Sequence, residues 1–215
     1  MDAPVRLNQL DPRYPPALTT HLGRAAPGCV SGLGDPEILK RKALALFCSV
    51  KCPGHLIVQT YDLAQKLRNA GVTVIGGFHS PMERQCLAIL LRSPHPVIAC
   101  PARGLPKRLP PEFRKPLADG RLLLLSPFAD ALRRADDETA QQRNRFVAAL
   151  ADRIFVAFAA PRGKTEFFCR EIVAWQKPLY TFAGNANENL LALGAKPIDP
   201  DDLPRDQPDT AAGSV

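Results

Sequence analysis

The sequence predicts an α/β fold: a Rossmann-like parallel sheet flanked by helices, in a single domain with an extended N-terminal lead-in. Two observations predict it. Short apolar runs of strand length alternate with stretches of helical periodicity from residue 42 to residue 183, and turn-forming Gly and Pro punctuate the joins. A strand that recurs after a helical crossover pairs in parallel, with right-handed connections. The 215 residues, 46% of them hydrophobic, are ample for one core.

Residues 1–40 hold six prolines (4, 12, 15, 16, 27 and 36) and glycines at 23, 28, 32 and 34, so they read as an extended or short-helical lead-in packed on the core. The domain proper is expected over 41–197. KALALFCSV (42–50) has strand length and is followed by the turn-prone Lys51-Cys52-Pro53-Gly54 and a helical pattern over 56–70. Gly71 stops that helix; VTVIGG (72–77) is a second strand, 81–91 a helix and PVIAC (96–100) a third strand. A basic, proline-rich connector covers 101–116. RLLLLSPF (121–128) reads as a strand, 139–150 as a helix, RIFVAFAA (153–160) as the clearest buried strand, 165–176 as a helix and PLYTFA (178–183) as the last strand. The stretch 198–215 is acidic and proline-rich, and reads as a disordered tail.

The formal charge of +7 is unevenly spread. Residues 199–215 hold five aspartates against one arginine, which leaves +11 on the rest of the chain. That excess favours polyanions through counterion release, without sequence preference. No run approaches the roughly 18–20 apolar residues of a membrane-spanning helix, and MDAPVRLNQLDPRYPP has no apolar signal core, so no membrane partner and a cytoplasmic location are expected. The six cysteines are then expected to be reduced.

In open parallel sheets ligands gather beyond the carboxyl ends of the strands, at helix N-termini with free N–H groups. Four loops have suitable residues. The first supplies Ser49 and Lys51 with Gly54 behind them, although a tight strand-to-helix turn explains the same residues. Cys48, Cys52 and His55 lack a second paired set at zinc-ligand spacing, so neither metal nor cofactor is expected. The second offers Gly76 and Gly77 for close backbone approach, Phe78 and His79 as stacking or hydrogen-bonding faces, and Ser80-Pro81 as N-cap and first helical residue. The third is Arg143-Asn144-Arg145, whose guanidiniums suit forked phosphate contacts. The fourth is Gly163, Lys164 and Thr165, an anion site or simply a capped helix.

In their order along the chain these pieces resemble the DNA-processing protein A (DprA/Smf) family. The resemblance begins at Tyr14-Pro15 with Leu18, runs through Gly32-Leu33-Gly34-Asp35 with Ile38-Leu39, and sets Cys48-Ser49 where the family has a Gly-Ser-Arg turn. Gly76-Gly77-Phe78-His79 falls at its Ser-Gly-x-Ala-x-Gly-Ile-Asp stretch, and Arg143-Asn144-Arg145 with Ala148 and Leu150 matches its Arg-Asn-Arg motif. Gly163 to Thr165, Ala183-Gly184, Asn189-Leu190-Leu191 and Gly194-Ala195 echo the closing segments, so the similarity spans 14–197. The arginine of the first turn and the Gly-Ile-Asp of the second are absent. The resemblance implies a Rossmann-like domain that binds single-stranded DNA, acts in DNA processing and recombination, and helps to load a RecA-type recombinase. It also implies a homodimer, to which leucines 122–125 are apolar enough to contribute, although an internal strand explains them better.

Pro161-x-Gly163-x-Thr165-Glu166 is also similar to the phosphate loop of lysine-decarboxylase-like phosphoribohydrolases, with one glycine missing and the glutamate shifted. That alternative gives Glu166 or Glu171 an acid/base role on a nucleoside monophosphate, but a catalytic carboxylate needs a placed partner, and none is evident. A sensor that binds a nucleotide without turnover is the third reading. A binding role without catalysis is the expectation preferred.

Overall fold

The computed structural model of the chain describes residues 4–199. The expected acidic tail therefore lies outside the described residues, apart from Ile198 and Asp199. Among the described residues nine strands form one mixed sheet: β1 (Val5–Asn8), β2 (Cys29–Leu33), β3 (Ala43–Phe47), β4 (Thr73–Gly76), β5 (Val97–Ala99), β6 (Leu122–Ser126), β7 (Arg153–Val156), β8 (Leu179–Thr181) and β9 (Lys196–Pro197). Their order is β1-β2-β6-β5-β4-β3-β7-β8-β9. From β6 to β9 every neighbouring pair is parallel, whereas β1 pairs with β2, and β2 with β6, antiparallel. The chain builds outward from β3 through β4, β5 and β6, then returns to the other side of β3 to start β7. The strand order thus reverses between β3 and β7, where two loops diverge and leave a crevice beyond the carboxyl ends.

Among the described residues seven α-helices cover the sheet: α1 (Pro16–Leu22), α2 (Gly54–Ala70), α3 (Pro81–Leu90), α4 (Pro111–Ala118), α5 (Asp137–Leu150), α6 (Lys164–Ala174) and α7 (Glu188–Ala192). Because both faces are covered, the central strands bear apolar residues towards both faces and not only at alternate positions, with Thr73 and Arg153 as polar first residues of β4 and β7. Ala43, Ala45 and Phe47 of β3 face the core shared with α1, α5 and α6, while Leu44 and Leu46 face the core shared with α2 and α3. Leucines 122–125 divide in the same way and are buried on both sides of β6, which removes them as a pairing surface.

Helix α5 bears the Arg-Asn-Arg triplet, and both of its ends are fixed. Asp136 accepts from the Thr139 N–H at 2.8 Å and Thr139 Oγ1 accepts from the Asp136 N–H at 2.9 Å, a reciprocal cap on the orphan donors of the first turn. At the other end the Lys177 ammonium donates to the carbonyls of Ala148, Ala149 and Ala151 at 2.6–2.8 Å. Between the two, Phe146 and Val147 are sunk in the core.

The lead-in, expected as extended or short-helical chain packed on the core, is more regular than that reading specified. It contributes two antiparallel strands to the sheet edge, and Tyr14 and Leu18 pack into the core. Runs as short as VRLN and CVSGL are too brief to show a period; β2 pairs on the edge of β6 and β1 in turn on β2. The basic connector likewise contains α4, whose Pro111 sits in the first turn and whose Pro116 lies inside it. A further two-residue strand, β9, follows the strand expected to be last. Among the described residues no helix is long and apolar enough to cross a membrane.

Because Phe146 is fully buried and anchors α5, Phe146→Ala should cost about 3–5 kcal/mol. Urea unfolding followed by circular dichroism measures it, and a loss under about 1 kcal/mol would mean that the helix is held by its ends alone.

Candidate functional site

A crevice of about 550 Å³ opens where the strand order reverses. The loop after β3 contributes Cys48 and Val50, the loop after β4 His79 and Ser80, α5 the triplet Arg143-Asn144-Arg145, and the start of α6 Lys164, Thr165 and Phe167. Segments from four separate parts of the sequence therefore meet on one side of the sheet. The loops after β3 and β7 are stitched together. Ser49 Oγ donates to Thr165 Oγ1 at 3.0 Å and accepts from the Ala160 N–H at 3.1 Å, while the Ser49 N–H donates to the Phe158 carbonyl at 2.9 Å.

Arg143 is the centre of this arrangement. Its side chain is buried, with the residue 5% exposed, and it lies over Gly77 so closely that a Cβ built there would fall 1.3 Å from Nη1. Gly77 is therefore the space the guanidinium occupies. Nη1 donates to the Cys100 carbonyl at 3.1 Å and Nε to Asn144 Oδ1 at 2.8 Å. Burial pulls its pKa down, and the neighbouring Glu83 carboxylate opposes that shift. Among the described residues Nε and Nη1 have these acceptors and Nη2 has none, so part of the donor fork is unpaired.

The other expected residues divide. His79, Asn144, Arg145, Lys164 and Thr165 line the crevice with Arg143. Gly77 and Phe78 line an adjoining cavity, and Ser49, Lys51, Gly76 and Gly163 line neither. Gly163 instead caps α6 without a side chain, and a Cβ there would meet the Ala160 carbonyl oxygen at 2.9 Å, so the turn itself requires glycine. Phe78, at φ 46° and 5% exposed, packs its ring under Gly76 and is largely withdrawn from solvent. Phe167, not foreseen from the sequence, is 57% exposed on the first turn of α6, and Val50 opposite is 85% exposed. An aromatic in a helix of otherwise clear apolar periodicity, at a position off the core stripe, was the available signal.

The cations also differ from expectation. Arg145 is held by Glu171 through two bonds of 2.7 Å, and Lys164 lies 2.8 Å from Asp137. Both pairs are solvent-accessible, so each contributes little, about 0–1 kcal/mol, and a phosphate can replace the carboxylate. A second set of cations gathers next door. The adjoining cavity, about 730 Å³, is lined by Arg84, Arg92, Arg103 and Lys115 with Glu112 as the only carboxylate among its lining residues. These cations belong to α3, to the turn that follows it and to the basic connector with α4, whose charge the sequence displayed but whose place it did not.

The two carboxylates of the enzymatic alternative are both engaged. Glu166, buried at the base of α6, accepts from Asn189 Nδ2 at 2.7 Å, Arg170 at 2.8 Å and the Arg162 N–H at 3.0 Å, and these bonds hold its carboxyl at about 2. Glu171 is bound to Arg145. Burial pushes the Cys100 thiol up to about 12, and the six cysteines are free. Among the described residues no three His, Cys, Asp or Glu side chains are grouped as a metal site.

A sequence profile described as DNA recombination-mediator protein A matches residues 6–204. Among solved structures the chain is similar to DNA processing protein A from Streptococcus pneumoniae, with 20% identity and a TM-score of 0.75, covering 90% of this chain and 70% of that one. It is similar also to the DNA processing protein A of Helicobacter pylori, described for its single-stranded DNA binding mode, with 18% identity, a TM-score of 0.74 and 93% of each chain covered. A molybdenum cofactor binding protein from Rippkaea orientalis shares the fold at 10% identity and a TM-score of 0.53, over 75% of this chain and 91% of that one. No match was found among curated proteins.

The depressed Glu166 carboxyl gives a pH signature. Ionised Glu166 stabilises the fold fully above its ordinary value of 4.5, and that contribution is lost as pH falls through about 2. The stability difference between the native chain and Glu166→Gln, from urea melts at successive pH values, should therefore be constant above pH 4.5 and shrink below it. A difference that grows on acidification would refute the assigned bonding.

Proposed function

The chain belongs to the DNA recombination-mediator protein A family, and we propose that it serves DNA processing and recombination by binding single-stranded DNA in the crevice between β3 and β7. The observation behind this reading is the meeting of four separate segments around the buried Arg143 at the point where strand order reverses. The uncapped N-terminus of α6 presents N–H groups with partial positive charge to a phosphate. Arg143 Nη2, Lys164 and Arg145 add charge-assisted donors, the latter two by exchanging an exposed carboxylate for a phosphate. Phe167 and His79 supply faces on which a base of any sequence stacks, which contributes about 1–3 kcal/mol per base.

Every named polar contact is with the backbone of the strand, so affinity falls with salt and shows little base preference. On the family resemblance, the strand so bound is passed to a RecA-type recombinase, and any homodimer uses a surface other than the buried leucines of β6. The hydrolase reading is disfavoured by Glu166, whose oxygens already accept three hydrogen bonds and whose carboxyl stays ionised far below neutral pH.

Fluorescence anisotropy with a labelled oligothymidylate at low salt tests the proposal. Phe167→Ala should weaken binding by about 1–3 kcal/mol without altering the salt slope. Lys164→Ala should weaken it and flatten the slope by about 0.7 for each phosphate that is no longer neutralised. Absence of binding by the native chain at low salt would defeat the reading.

A further inference from the structure

We propose that the cavity between α3, α4 and the connector is a second ligand site, which takes a planar ring bearing a phosphate group. The inference shares its ligand class with the proposed DNA role, but it does not require a strand in the crevice. At about 730 Å³ the cavity has the size of small-molecule sites, roughly 300–1,000 Å³. Leu124 of β6 and Ala99 of β5 form its floor, and Leu87 and Leu91 at α3 face Phe113 and Pro116 of α4 across it. Phe113 and Leu91 are only half-buried, so ring and methyl groups look into the space.

The rim has the opposite chemistry. Arg84 donates to the His79 carbonyl, Lys115 pairs with Asp119, and Arg121 is fixed on the carbonyls of Leu91 and Ser93. Arg92 and Arg103 line the cavity, are exposed and have no side-chain partner among the described residues, which leaves two complete guanidinium forks. An apolar ligand would leave these forks unused, and inorganic phosphate would leave the leucine and phenylalanine walls wet. A ring carrying a phosphate satisfies both, with the ring against Phe113 and the phosphate between Arg92 and Arg103. Free nucleoside monophosphates and the units of a single strand share this chemistry. Arg143 and His79 line both this cavity and the crevice, so occupancy of one reaches the other through a shared side chain.

Ala88 is exposed and lines only the second cavity, so an indole placed there fills the space without entering the core. Calorimetric titration of adenosine 5′-monophosphate at low salt, with inorganic phosphate as control, should show binding of the nucleotide and not of the control. Ala88→Trp and Arg103→Ala should each weaken it at least about tenfold, or about 1.4 kcal/mol. Arg103 lies on the surface, so its variant keeps the test valid if the tryptophan variant melts early. If the native chain ignores the free nucleotide, weaker binding of a long oligothymidylate but not of a trinucleotide by both variants identifies the strand as the source of the ring. Nucleotide and oligonucleotide binding that both survive the two substitutions would overturn the site. Loss of nucleotide binding in the variants of a chain that binds no oligonucleotide would keep the site and remove the DNA role instead.

Discussion

A guanidinium lying where a side chain at residue 77 would be constrains much of this molecule. Arg143 needs the missing Cβ of Gly77, the Cys100 carbonyl and the Asn144 amide, and these come from the ends of β4 and β5 and from α5 itself. Desolvating an arginine is costly unless its donors are met, so the helix that carries it must be placed to within a hydrogen bond. The reciprocal cap at Asp136 and the Lys177 ammonium on the closing carbonyls do that placing, and Phe146 holds the middle of the helix down. Sheet topology, helix ends and a single glycine thus converge on the orientation of one side chain.

Around that fixed centre the charges are of two kinds. In the crevice the cations are already answered: Arg145 by Glu171, Lys164 by Asp137. Exposed pairs of this sort keep long side chains extended and oriented at small energetic cost to an incoming anion. Across the Arg143 wall, Arg92 and Arg103 stand without partners among the described residues, over apolar walls. The first arrangement suits a backbone that is gripped and released, and the second a group that also has a ring to bury.

The core of the fold was legible because the central strands are apolar runs with few polar interruptions and the helices between them are long enough to show their period. KALALFCSV, VTVIGG and RIFVAFAA each fall on a central parallel strand, and Ser80-Pro81 caps α3 as read. The edge strands were not legible, since four or five residues such as VRLN take their conformation from a neighbour far along the chain. The same limit applied to the site. Arg143-Asn144-Arg145 and Lys164-Thr165 advertised themselves by residue type, but whether Phe78 or Phe167 faces solvent depends on backbone angles and packing that no local pattern encodes. Nor could spacing reveal that the space a side chain would take at Gly77 is filled by an arginine sixty-six positions later.

The Glu166 carboxylate also joins the turn after β7, through the Arg162 N–H, to Asn189 at the start of the closing helix, and Asn189 in turn donates to the Ala159 carbonyl. The Asn187 amide reaches the Ala157 carbonyl in the same way. The segment around α7 is thereby a buttress behind the turn that leads from β7 into α6. Loss of the Asn187 or Asn189 amide would therefore leave the carbonyls of Ala157 and Ala159 and the Glu166 carboxylate short of a donor, so the turn that opens α6 depends on side chains more than twenty residues further along the chain.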